Sequence, residues 1–325
     1  MAKKSMEKDK YLYMYLITAA ICIVIVIITA AVLMFGNIFA DEESGIIISS
    51  VSIPYAVSSE DISDESVEAS EAETVIIKGY KEIAIQSSSL SEGDLIIVKN
   101  TEAAIAPDKS KLELVNIYDN RLKGIYKLSG SKLTLEKEAL AALNRMLQAF
   151  HDSTGVTDIM VNDSYTELES LLSKKTLATN ADLASGRAVR LTVFPSENGK
   201  MGEGVYLWIA DHCQNYGYVL RYPSDKTEYT GAASSSAIYR YVGIPHAKFM
   251  KANNLCLDEY NELIKSYDYR NPLSYTDQDS GNTYLIYYAA AGSGVSTMIS
   301  VPSELQYTVS GNNRDGFIIT VSVGN

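Results

Sequence analysis

Side chains able to do chemistry are few in this chain. His151, His212, His246, Cys22, Cys213 and Cys256 are all that it offers as nitrogen or sulfur metal ligands and strong nucleophiles. A hydrolytic zinc site needs three protein ligands and one open position, so that bound water falls toward a pKa of about 7. The spacings do not supply it. His212 and Cys213 are adjacent, which on a helix turns their side chains about 100° apart. His151 follows a helical Phe150 and reads as a solvated helix-end residue, favourable against the dipole. Cys22 lies within a long apolar run. Cys213 and Cys256 read as buried free thiols, with a disulfide between them as the alternative. No Ser-His-Asp arrangement or Gly-rich phosphate loop stands out. The stretch RYPSDKTEYTGAASSSAIYRYVG, residues 221–243, has the look of a segment that closes an active site. Its centre holds only serines, alanines and an isoleucine, and a serine hydroxyl is too weak to serve as a general base at neutral pH.

The elements that would position these residues are mixed. LTLEKEALAALNRMLQAFHDSTG puts Ala139, Leu140, Leu143, Met146, Leu147 and Phe150 at helical spacing, with Thr134 as N-cap and Gly155 as the stop. TELESLLSKK predicts a second helix, and GVYLWIADHCQNYG a third that ends at Gly217. RAVRLTVF alternates as a strand does, with Val189, Leu191 and Val193 on one face and Ala188, Arg190 and Thr192 on the other. YVLRYP, AIYRYVG, YLIYYAA, TMISVP and FIITVSV supply further strands, bounded by turn signals such as SGNN and RDG. The expected class is α+β.

Composition narrows the function. The formal charge of -12 and the lack of a basic, aromatic-laced patch argue against nucleic acid as a partner. Residues 11–36, YLYMYLITAAICIVIVIITAAVLMFG, carry no charge and exceed the ~20 residues that span a bilayer. A transmembrane helix is expected there rather than a cleaved signal peptide, whose apolar region is shorter. Lys3, Lys4, Lys8 and Lys10 precede it and Asp41, Glu42 and Glu43 follow it, which leaves residues 1–10 in the cytoplasm and the C-terminal part outside. Residues 37–75 read as an acidic, Ser-rich stalk that cannot bury enough apolar surface to fold alone.

The string YLWIADHCQNYGYVLRYPSDKTEYTG, followed by IYRYVG, resembles the VanY-type D-alanyl-D-alanine carboxypeptidases. The residues that carry the likeness are Trp208, Tyr216, Gly217, Arg221, Tyr222, Pro223, Lys226, Thr230, Gly231, Arg240, Tyr241, Val242 and Gly243. GDLIIVKN at 93–100 is similar to an upstream element of the family, and YTVSGNNRDGFIITV resembles the C-terminal extension of anchored Gram-positive members. The resemblance implies a zinc peptidase that removes the terminal D-Ala from peptidoglycan stem peptides. Its metal is held by the His and Asp of S-x-H-x-x-G-x-A-x-D and the His of E-P-W-H, whose Glu is the general base. In that register Leu183 and Arg190 stand at the first two ligand positions, Ile238 at the third and Ser235 at the glutamate, with Ser236 and Ala237 between. VNDSYTEL keeps Tyr165 of a substrate-binding S-x-Y-R stretch but has Thr166 at the arginine.

The expectation is therefore a D,D-carboxypeptidase-like domain over 76–270, with an antiparallel sheet and packed helices, followed by a small β-rich extension over 271–325. Its family zinc is expected to be lost, leaving no cofactor. The leading function is a membrane-anchored pseudopeptidase that binds stem peptides or an envelope protein through Arg190, Thr192, Ser235, Ser236, Tyr239 and Arg240. The alternatives are an active carboxypeptidase with an unconventional site and an envelope scaffold whose cleft is filled.

Overall fold

The structure, a computed structural model, describes residues 46–48, 75–77, 79–99, 101, 103–174 and 180–324. The expected membrane helix at 11–36 and most of the expected stalk lie outside the described residues. Among the described residues no helix is long and apolar enough to cross a membrane.

Strand β1 (Ile46–Ile48) pairs antiparallel with β2 (Val75–Ile77), and β3 (Tyr80–Gln86) follows. Three short strands come next, β4 (Leu114–Asn116), β5 (Lys127–Leu128) and β6 (Thr134–Glu136). The predicted amphipathic helix forms over Lys137–Thr154 and buries the six apolar residues that its spacing singles out. It stops at Gly155, which takes the left-handed conformation at φ 71°. Thr134 is not its N-cap. Thr134 lies in β6 opposite Asn116 of β4, and that pairing holds it extended two residues before the N-cap, Glu136.

The central sheet adds β7 (Ile159–Asp163), β8 (Ala188–Val193), β9 (Tyr218–Tyr222) and β10 (Ser235–Tyr241) in the order β5-β7-β8-β10-β9. Only β5 and β7 run parallel. Val189, Leu191 and Val193 of β8 join the core beneath the long helix, as the alternation predicts. The second predicted helix is Leu168–Ser173. The third divides into a 3₁₀ turn, the α-helix Leu207–His212 and another 3₁₀ turn, and ends at Gly217 as expected, with φ 79°. A Cβ at Gly217 would stand 2.8 Å from the Tyr241 ring and 3.0 Å from the Gly243 backbone, so the close approach requires glycine as firmly as the dihedral does.

After the helices Ile244–Ala252 and Leu257–Ile264, the chain forms β11 (Leu273–Thr276), β12 (Thr283–Ala290), β13 (Ser296–Pro302), β14 (Gln306–Gly311) and β15 (Gly316–Val323). Four of these make a sheet ordered β11-β12-β15-β14, whereas β13 pairs with β3 from far upstream. Leu95 and Ile97 share one core with Phe249, Tyr260, Ile286 and Ile318. The β-rich extension and the central domain are thus built around common apolar contacts.

Candidate functional site

Strands β8 and β10 are neighbours, and their register sets Arg190 opposite Ile238. The third position that the resemblance singles out, Leu183, lies in the 3₁₀ turn Ala181–Ser185 that leads into β8 and is 1% exposed. Ile238 is fully buried and packs with Tyr222 and Ala232. Leu183 and Ile238 carry no donor atom and Arg190 is a cation, so these three residues do not fit a zinc ion.

Arg190 is partly buried and engaged from within the chain. Its Nε lies 3.1 Å from Oδ2 of Asp163 on β7, and its Nη2 donates to the side-chain oxygen of Asn180. Thr192 is half-buried, and its hydroxyl makes only a long contact, 3.5 Å, to the Met160 carbonyl. Ser236 is exposed and donates to the Met201 carbonyl at 2.8 Å, while the half-buried Ser235 accepts from the Ala237 amide at 3.3 Å. Thr166 donates to the carbonyl of Ser164.

Two of the expected ligand-binding residues are placed elsewhere. Arg240 is 0% exposed, and its guanidinium is consumed by Asp182 at 2.9 Å and by the carbonyls of Asp94, Ile96 and Tyr241. Tyr239 belongs to the core beneath the long helix. Both corrections have one cause: a β-strand alternates between two faces, and over Ile238, Tyr239 and Arg240 both faces of β10 are covered, so alternation alone does not identify a ligand-facing side.

Sequence reasoning also missed Asp182, the fully buried residue beside Leu183. Its Oδ2 accepts from Arg221 Nε and its Oδ1 from Arg240 Nη1, both at 2.9 Å. Arg221 then reaches Asp258 at 2.7 Å, and Asp258 meets Arg314 of the extension at 3.4 Å. Charges thus alternate from the surface to the turn behind Leu183. Several residues that carry the resemblance, Arg221, Arg240 and Gly217, hold this framework together. The available signal was two arginines in adjacent strands, each of which demanded a buried anion.

The remaining candidate ligands are dispersed. His246 is buried between the Tyr260 hydroxyl at 2.6 Å and Thr320 Oγ1 at 3.1 Å, and burial pushes its pKa down to about 4. His212 stacks on Trp208 with ring centroids 4.3 Å apart, and His151 lies in the last turn of the long helix. Cys213 and Cys256 are free and buried, which pushes their thiols up to about 12 and about 11. The described residues contain no group of three His, Cys, Asp or Glu able to hold a metal ion.

Known proteins share this architecture. A D,D-dipeptidase of vancomycin resistance, VanXYg, solved with a D-Ala-D-Ala phosphinate analogue, superposes with a TM-score of 0.63, covering 75% of this chain and all of that one at 23% identity. That likeness defines a D,D-peptidase-like fold. No protein-family model matches the chain. A D-alanyl-D-alanine carboxypeptidase of Enterococcus faecium is 30% identical over 256 residues, 75% of this chain and 80% of that protein. A second, from Enterococcus faecalis, is 44% identical over 59 residues, 22% of its length. The chain belongs to the D-alanyl-D-alanine carboxypeptidase family.

Proposed function

We propose that this family member is a pseudopeptidase of the cell envelope, which holds peptidoglycan stem peptides without cleaving them. The observation that carries the reading is the fate of the three metal-ligand positions: two are buried aliphatic side chains and the third is an arginine. An arginine fork donates two parallel hydrogen bonds to a carboxylate, so a fixed guanidinium replaces the cation that a metallopeptidase presents to its substrate. Binding a peptide carboxylate requires Arg190 to exchange Asp163 for the ligand, and Asp163 is open enough, at 44% side-chain exposure, to swing into water. The named ligand of a solved relative, a D-Ala-D-Ala analogue, supports the choice of peptide.

One preparation of the full-length protein tests this. Elemental analysis is expected to find zinc far below one per chain, a D-Ala-D-Ala-terminated pentapeptide is expected to bind, and no free D-Ala is expected to appear. Stoichiometric zinc together with D-Ala release establishes the active carboxypeptidase instead. A filled scaffold is the second reading, favoured by the packing of Ile238 against Tyr222 and Ala232 and by the Arg190–Asp163 pair. It predicts no peptide binding at all.

The charge pattern around residues 11–36 supports a single-pass anchor with the folded part outside the membrane. A tag after residue 325 is expected to be cut by protease added to intact cells and a tag before residue 1 to survive. The reverse pattern refutes this orientation.

A further inference from the structure

A cavity of about 340 Å³ lies where the β-rich extension meets the central domain. Thr308 and Val309 of β14 line it from the extension, and Glu136, Glu138, Arg187 and Tyr241 line it from the central domain. The Tyr241 amide donates to the Arg187 carbonyl, three residues along each segment from the Ile238–Arg190 pair. At about 3.3 Å per residue, that edge of the cavity stands roughly 10 Å along the strands from Arg190.

The lining is anionic. Asp94, Glu113, Glu136 and Glu138 are four carboxylates against two cations, Lys111 and Arg187, an excess of two negative charges. Partners outside the lining do not change it, because Glu92, 3.8 Å from Lys111, and Lys137, 2.8 Å from Glu113, cancel each other. His246 also lines the cavity but is neutral, with both ring nitrogens spent on Tyr260 and Thr320. Arg145, close enough to act on the Tyr241 phenol, and the positive end of the long helix, worth about half a charge, reduce the excess without cancelling it.

The groups left open are acceptors. Glu136 is 7% exposed, and its Oε1 accepts from the Glu113 amide at 2.8 Å and lies 3.6 Å from Arg187 Nη2, whereas its Oε2 accepts no hydrogen bond among the described residues. Arg187 is held elsewhere, by Asp94 at 2.6 Å and by the Ser185 carbonyl. A buried carboxylate oxygen without a donor is costly, and a ligand that donates to it relieves the cost. Glu138 is exposed and in no ion pair, and the half-buried Tyr241 hydroxyl has no hydrogen bond among the described residues. No three acidic, histidine or cysteine side chains among the described residues are placed to hold a metal ion, so the cation that fits is an organic one that donates hydrogen bonds. Leu95, Ala139 and Val309 complete the lining and suit an alkyl stem. One buried and one exposed anionic point call for a stem with a charge at each end, and the volume is that of a small-molecule pocket.

We propose that this cavity binds a free aliphatic polyamine, with one ammonium donating to Glu136 Oε2 and the Tyr241 hydroxyl and a second one meeting Glu138. The site goes beyond the stem-peptide reading and uses neither Arg190 nor the metal-ligand positions.

The test is calorimetric titration of the full-length protein with spermidine at low ionic strength. Saturable binding is expected, weakened about tenfold or more by Glu136→Gln and severalfold by Glu138→Gln, each of which removes one charge-assisted hydrogen bond. Glu136→Gln keeps the oxygen that accepts from the Glu113 amide, and Glu138→Gln changes an exposed residue, so the second variant decides the matter even where the first loses stability. Butylamine, with a single ammonium, is expected to bind at least about tenfold more weakly than spermidine. Equal spermidine binding by wild type and both variants assigns the amine to acidic residues elsewhere in this chain and overturns the proposal, as does the absence of saturable binding. Nα-acetyl-lysine amide binding as tightly as spermidine makes the cavity a seat for a protein's lysine and overturns the free polyamine. Displacement of spermidine by the D-Ala-D-Ala-terminated pentapeptide, or its loss with Arg190→Ala, moves the amine to the β8–β10 position and also overturns it.

Discussion

Arg190→Ala is expected to weaken stem-peptide binding by about tenfold or more while the protein stays folded, a change worth about 1.4 kcal/mol per factor of ten. The size follows from a charge-assisted hydrogen bond, which contributes about 1.5 to 3 kcal/mol. Folding is expected to survive because the side chains of Arg190 and Asp163 are 21% and 44% exposed, so each remains partly solvated when its partner is lost. Asp163→Asn is the complementary variant. It removes the internal carboxylate that competes for the guanidinium, so peptide affinity is expected to rise. If isothermal titration finds both variants equal to wild type, Arg190 is a structural plug and the filled-scaffold reading stands. Opposite shifts in the two variants are not predicted by a general loss of stability.

Asp182→Asn is expected to produce the largest loss of stability. Asp182 is 0% exposed and accepts from both Arg221 and Arg240 at 2.9 Å. Without its charge, Arg240 retains only backbone carbonyls and Arg221 retains only Asp258 as an anion. Removing one partner from a buried ionic network costs about 3–5 kcal/mol, because a desolvated charge is left uncompensated. For a domain of this size that lowers the melting temperature by roughly 6–20 °C. Differential scanning calorimetry decides the matter, and a fall of less than about 3 °C would mean that Asp258 and the carbonyls suffice to hold both cations. The network begins one residue before Leu183, so the variant is also expected to loosen the turn beside β8 and to weaken peptide binding indirectly. Arg190→Ala weakens binding without that thermal cost.

These two variants separate roles that sequence pattern merges. Arg190, Arg221 and Arg240 are three arginines in three β-strands of one sheet, and nothing local distinguishes them. Arg190 is the one whose guanidinium stays partly open to water, while the other two are fully enclosed.

The sequence by itself determined what depends on short-range periodicity and backbone chemistry. Apolar residues three and four apart set the helix Lys137–Thr154, strict alternation set β8 and its core face, and glycines able to adopt positive φ set the stops at Gly155 and Gly217. The family was legible too, because its framework residues recur at fixed spacing from Trp208 to Gly243. Only the tertiary structure decided which charges meet. Arg190 finds Asp163 through the β7–β8 register, Asp182 lies between arginines 39 and 58 residues away, and β3 pairs with β13 from far along the sequence. Burial on both faces of β10 over Ile238, Tyr239 and Arg240, which removed Tyr239 and Arg240 from the candidate ligand set, was equally invisible. The reason is physical: propensity and periodicity act within a turn or a strand, whereas register, burial and the pairing of desolvated charges depend on segments that only the folded chain brings together.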